Sequence, residues 1–356
     1  MVNLLGNKDN GLKKIKDALE DNLNIIASDS RLKTINDKIA DSRYTFKLLG
    51  ETGTLPISTE RPSLLYKNWL YVGGGEGLGN ALVIINTDTM QIIKQITLAS
   101  GVNIVNTYNI VSDGTYWYIG TDTGHIIKGN LETGEVVLSQ YNASFGATYN
   151  LCVDDTYLYA CGNGNKVRKI NKTDLSIVAT STWNYVTPIA FICKDDYLYI
   201  GGTGSVDNSN SQAIVKILKS DLSVVNTSIS IGGQVRDLLI LDDYLYSAAA
   251  DGGVKKWLIS DLSFDSTIYQ HSTIIRALKH KLGDFWFGDN LGRTLRISND
   301  GVLLATLESE QSSNYVLEID ENNQMLYRNS SIDVTVTKYQ IIDNLQNNTS
   351  TTVIKT

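Results

Sequence analysis

One short pattern recurs seven times along this chain, and few folds are open to a chain built that way. Its clearest form is Asp195-Asp196-Tyr197-Leu198-Tyr199-Ile200-Gly201. It returns as Asp154-Asp155-Thr156-Tyr157-Leu158-Tyr159 and as Asp242-Asp243-Tyr244-Leu245-Tyr246. Looser copies are Trp69-Leu70-Tyr71-Val72-Gly73, Tyr116-Trp117-Tyr118-Ile119-Gly120, Phe285-Trp286-Phe287-Gly288 and Met325-Leu326-Tyr327. Taking Tyr71, Tyr118, Tyr159, Tyr199, Tyr246, Phe287 and Tyr327 as register marks gives steps of 47, 41, 40, 47, 41 and 40 residues. A period near forty marks a repeat architecture whose units bury their faces on one another.

Each repeat reads as four short strands. In 147–186, Tyr149–Val153 precedes the Asp154-Asp155 turn, and Tyr157–Cys161 follows it. Val167–Ile170 and Ile177–Thr180 complete the unit around Lys172-Thr173-Asp174-Leu175. The corner residues are Asp, Asn and Ser, whose side chains bond their own backbone and so favour turns. A four-stranded unit cannot cover both its faces alone, and seven arranged radially cover them all. The expected fold is therefore all-β: a seven-bladed β-propeller of four-stranded antiparallel blades over 61–356. The repeated aromatics are then packing between blades. For ring closure the expectation is that Thr351–Lys355 completes the last blade. The alternative is that Tyr44–Leu48 adds its outer strand.

The motif Asp-Asp-x-Leu-Tyr-x-Gly, followed by Lys-x-Asp-Leu-x-x-Val, resembles the seven-bladed propellers of the YVTN and quinoprotein-like repeat type. The resemblance spans about 61–356. It lacks the Gly-His and Trp-Asp pair of WD40 blades, and the aromatic motif runs into paired glycines of the kelch kind only at Gly73-Gly74 and Gly201-Gly202.

Residues 1–41 stand outside the repeat. Leu12, Ile15, Leu19, Leu23 and Ile26 step by 3, 4, 4 and 3, one apolar stripe on a helix. Leu32, Ile35 and Ile39 repeat the pattern after Ser28-Asp29-Ser30. This short α-helical segment is expected either to pack on the propeller or to dock on partner subunits through a heptad-like seam. Residues 42–60 read as a strand and linker.

Net charge is −7, opposite to the basic surface that nucleic acid requires. The start lacks a basic segment followed by an apolar run, so no secretory signal is expected. No apolar stretch approaches a membrane span, so no membrane insertion is expected. Cys152, Cys161 and Cys193 fall in strand positions and read as reduced thiols.

The search for chemistry finds no assembled active site and implies no cofactor. The loop Gly73–Gly79 ends in Asn80 and lies between strands, unlike a dinucleotide fingerprint. Three histidines, His125, His271 and His280, have no partners at metal-ligand spacing. Asp207–Ser211 lacks the Gly and distal Glu of a calcium loop. No metal site is expected.

What remains is the axial mouth, ringed by residues entering the first strands. Arg61, Arg236, Asp237, Arg276 and Asn314 are the candidate binding residues there, with Asn106, Thr148 and Pro188 in the same register. Guanidinium forks suit an anionic ligand or a partner's carboxylates. Inserts at Gly73–Asn80 and Thr203–Gln212 account for the two 47-residue steps and are expected on one face as a recognition edge.

The leading expectation is a non-enzymatic structural or binding protein. Its helix-then-β order and its Asn/Ser/Thr-rich, lysine-biased composition resemble bacteriophage tail, baseplate or fibre components of low-GC Gram-positive hosts. That resemblance implies a virion location, docking on other subunits of a large assembly, and loops presented to a host-surface glycan or protein. Two alternatives stay open: an axial enzyme of the propeller lyase, lactonase or quinoprotein kind, and a cytoplasmic interaction scaffold.

Overall fold

The computed structural model describes residues 44–55, 60–74, 81–97, 109–121, 123–142, 146–162, 166–183, 187–203, 212–308, 317–330 and 335–343. The helical stripe of Leu12, Ile15, Leu19, Leu23 and Ile26 lies outside them, as do 75–80 and 204–211 within the two inserts. The chain forms seven four-stranded antiparallel sheets. In six of them the strands follow one another in sequence, so each is a blade made of one repeat. Innermost strands are Glu60–Tyr66, Ile110–Ser112, Thr148–Val153, Pro188–Lys194, Val235–Leu241, Ile275–Lys281 and Leu317–Asp320, in blades 1 to 7. The protein is a seven-bladed β-propeller.

Blade 7 corrects the expected closure. Its outermost strand is Tyr44–Glu51, paired antiparallel with Thr335–Asp343 from Tyr44↔Asp343 to Glu51↔Thr337. Beyond this strand Thr52 accepts from and donates to Val336, at 3.0 Å through Oγ1 and 2.9 Å through its N–H. Leu55, fully buried, joins Leu70, Tyr327 and Val336 in the core shared by blades 7 and 1. Phe46 meets Trp286 of blade 6 edge-on at 6.2 Å. The reason lies in pairing and burial together. The N-terminal strand satisfies a full ladder and also brings Phe46 and Leu55 into the core.

Blade 6 corrects the register. Trp286, not Phe287, pairs with Lys279 and Arg296, as Tyr246 pairs with Leu239 and Lys256 in blade 5. A two-residue turn at Leu282-Gly283 makes Asp284 the first paired residue of the second strand. That sets Phe285, Trp286 and Phe287 one place off the visual alignment.

Two recurring devices hold neighbouring blades together. The first is a buried knob in the third-to-fourth hairpin. Leu175, Leu222, Leu262 and Met90 adopt left-handed backbone, with φ between 57° and 61°. Each is at most 5% exposed and fills the core around the register tyrosine of the preceding blade: Tyr118, Tyr159, Tyr199 and Tyr327. A non-glycine residue there costs roughly 1–2 kcal/mol, and burying the side chain returns about 2 kcal/mol. The second device is a third-strand lysine. Lys128, Lys169 and Lys216 lie over Tyr116, Tyr157 and Tyr197 at 3.9, 4.1 and 4.1 Å. Their ammonium groups donate to Lys172 O, Lys219 O and Ile259 O of the next blade, so each seam is closed by cation–π contact and hydrogen bond together.

The Asp-Asp motif serves two different turns. In blade 3 Asp154 accepts from the N–H groups of Thr156 and Tyr157 and from the Tyr159 hydroxyl. It also pairs with Lys219 of blade 4 at 3.0 Å. In blades 4 and 5 the hairpin has the same length but the Asp pair sits one position later, in the turn itself, and Asp195 and Asp242 take left-handed φ values of 49° and 53°.

Candidate functional site

The innermost strands of all seven blades enclose an axial cavity of about 460 Å³. Its wall follows from strand register. Opposite the register aromatics, blades 1 to 4 place Leu64, Val111, Cys152 and Ile192, and blade 5 contributes Leu238. Blades 6 and 7 break this apolar column with Lys279 and Glu318. Sequence reasoning missed both residues. The signal was charge in an apolar column, hidden for Lys279 by the blade 6 misregister.

Arg236 and Arg276 come together as expected, and the cause is local. Ladder pairing skips from Val235 to Asp237 and from Ile275 to Ala277, so each arginine is the extra residue of a β-bulge. Bulges re-aim side chains next to sites, and here two adjacent blades each place an arginine in the lining of one cavity. Arg276 is held from behind, its Nε and Nη2 donating to Asn290 Oδ1 at 3.0 and 2.5 Å.

Asp237 has a different role from the one expected. Its Oδ1 accepts from Leu238 N at 2.9 Å, and its Oδ2 accepts from Leu278 N of blade 6 at 2.8 Å. It is a clamp between inner strands that share no ladder. Asn109 does the same from blade 2, accepting from Leu151 N and donating to Leu151 O. Asn150 of blade 3 donates to Ile189 O of blade 4. Burial pushes the Asp237 carboxyl above the usual aspartate value, against the opposing pull of the Leu278 N–H and Lys279.

Lys279 Nζ lies 3.4 Å from Glu318 Oε1, which also accepts from Ser63 Oγ at 2.7 Å. The Glu318 carboxylate, and then Asp237, hold the Lys279 ammonium above its ordinary value despite burial. With 38% of its side chain exposed, Lys279 still reaches the lumen. Arg61 is in the blade 1 inner strand, and Asn106 and Asn314 lie outside the described residues. Thr148 is buried and donates its N–H to Thr121 O, so it serves the fold. Pro188 begins the blade 4 inner strand.

The cavity thus presents three cations, Arg236, Arg276 and Lys279, with Glu318 and the occupied Asp237 as its acids. Apolar side chains line most of the remainder. Such a wall can hold a small anionic group and orient it. Among the described residues no group of three or more His, Cys, Asp or Glu is placed to hold a metal ion.

No family model matches the chain, and no curated protein matches it either. Among solved structures it is similar to the crystal structure of the computationally designed Ika8 protein. The TM-score is 0.60 at 14% identity, over 83% of this chain and 99% of that one. At that identity the likeness concerns the fold alone. In all, 1640 chains of solved structures match, and a fold so widely used carries no single function. The chain is a seven-bladed β-propeller by its own blades and ladders.

Proposed function

We propose that this protein is a non-enzymatic binding and structural module that receives an anionic group of a partner at its axial mouth. The observation that carries the reading is the pair of bulge arginines, Arg236 and Arg276, lining one cavity from adjacent blades. Lys279 extends the same positive wall inward. The strand Tyr44–Glu51 forms the outer edge of blade 7, away from the axis. In the fuller form of this reading, residues 1–41 dock on a large assembly of the bacteriophage tail, baseplate or fibre kind. The propeller then faces neighbouring subunits or a host surface.

The test is titration calorimetry of the full chain with inorganic phosphate and with a short peptide of Asp and Glu residues. Arg236→Ala and Arg276→Ala should each weaken binding about tenfold, the worth of roughly one charge-assisted hydrogen bond. High salt should weaken it further. Absence of binding by either probe would overturn the axial reading. Stoichiometric metal in the purified protein would favour the axial-enzyme alternative. Removing residues 1–41 should leave a folded propeller that no longer enters large particles; retained assembly would sink the docking role.

A further inference from the structure

We propose that Cys152 and Cys193 are a redox-active dithiol in the wall of the axial cavity, which takes up a small disulfide and closes into a bond joining blades 3 and 4. Both residues line the cavity, one from each of two neighbouring inner strands. Those strands belong to different sheets, and side chains bridge them. Cys193 Sγ donates to Val153 O at 3.4 Å, which puts it against the residue following Cys152. Cys193 also packs against the core cluster that holds Cys152. A disulfide between them would join two inner strands already packed together.

The two thiols differ in the way an attacking and a resolving thiol should. Cys193 is half-buried, while Cys152 is 5% exposed. The hydrogen bond from Cys152, aided by the Lys219 ammonium, holds the Cys193 thiol below its ordinary value against burial. Burial pushes Cys152 well above it. The thiolate is the attacking species, so Cys193 is the entry point. Cys193–SH and R–S–S–R give Cys193–S–S–R and R–SH, the Cys193 proton ending on the departing thiolate. Cys152 then attacks Cys193 Sγ, forming the protein disulfide and releasing a second R–SH with the Cys152 proton. Two protein thiols are oxidised and one small disulfide is reduced. Cys161, 1% exposed and paired across the sheet with Asn150, is not directly opposite Cys152 and stays outside the exchange.

The experiment incubates the native full chain with bis(2-hydroxyethyl) disulfide, then counts thiols and maps peptides without reduction. Expected is loss of two of the three thiols, a mass lower by two hydrogen atoms, and a Cys152–Cys193 linked peptide. Cys152→Ser should instead trap a stable hydroxyethyl adduct on Cys193, and Cys193→Ser should keep both remaining thiols reduced. Circular dichroism confirms that each variant is folded. The proposal is overturned if native protein keeps all three thiols, reacts only after denaturation, accumulates the mixed adduct, or pairs either residue with Cys161.

Discussion

Asp154 and Asp195 open the same Asp-Asp motif, yet mutation should separate them by several kilocalories. Asp154→Ala removes three hydrogen bonds, at 2.9, 2.7 and 3.1 Å, and an ion pair. The Thr156 N–H is exposed and regains water. Tyr159, 1% exposed, and Lys219, with a side chain 12% exposed, regain little. At about 1 kcal/mol for each bond, and more for the stranded buried groups, the loss sums to about 3 kcal/mol. Asp195 holds its turn by conformation, at φ 49° on an exposed site. Asp195→Gly should change stability by less than about 0.5 kcal/mol, and Asp195→Ala should cost about 1 kcal/mol through left-handed strain. The assay is urea unfolding followed by circular dichroism, comparing midpoints at unchanged slope. The pH dependence supplies a second reading. Burial raises the Asp154 carboxyl, but the Tyr157 N–H, Lys219 and the Thr156 N–H outweigh it and hold it below the usual aspartate value. A depressed folded value means the stabilisation is complete above the unfolded value and is lost as pH falls through the folded one. The gap between wild type and Asp154→Ala should therefore hold at neutral pH and narrow below about pH 4. A cost under 1 kcal/mol for Asp154→Ala, or an equal cost for Asp195→Gly, would refute the assignment of two roles.

Removing residues 1–51 should strip the outer strand of blade 7 and lower the unfolding midpoint sharply, whereas removing 344–356 should leave it nearly unchanged; denaturant melts of both truncations check this. Leu222→Ala should cost about 2–5 kcal/mol, because it empties the core around Tyr159 while keeping the left-handed strain. Gly129→Ala should fail to fold stably or lose at least about 3 kcal/mol, since a Cβ there would lie 2.0 Å from the Trp117 ring, and near-ultraviolet dichroism would report the disturbed indole.

The blades were legible because a propeller repeats its local chemistry. Tyr and Leu at alternate strand positions, and Asp, Asn and Ser at corners, recur wherever one unit meets the next. The candidate site was half legible. Arg236 and Arg276 could be found by counting from the register marks, since a bulge shared by two blades moves both arginines alike. Asp237 lines the cavity, but nothing in its sequence context shows that its two oxygens are taken by N–H groups of its own blade and the next. Lys279 was missed because Phe285-Trp286-Phe287 offers three aromatics for one register position, and only the backbone ladder chooses among them. Glu318, opposite the correctly marked Tyr327, was missed because the mouth was read from the residues entering the inner strands.

The seven-fold period determines by itself that this chain closes into a ring, because local turn and strand preferences repeat with it. Which strand seals that ring is settled by contacts between residues nearly three hundred positions apart. Thr335 and Val336 meet Glu51 and Thr52 there, and no pattern local to either end encodes their pairing. The same holds at the axis. Arg236, Arg276 and Lys279 become one positive wall, and Cys152 and Cys193 become one thiol pair, only once the blades stand side by side.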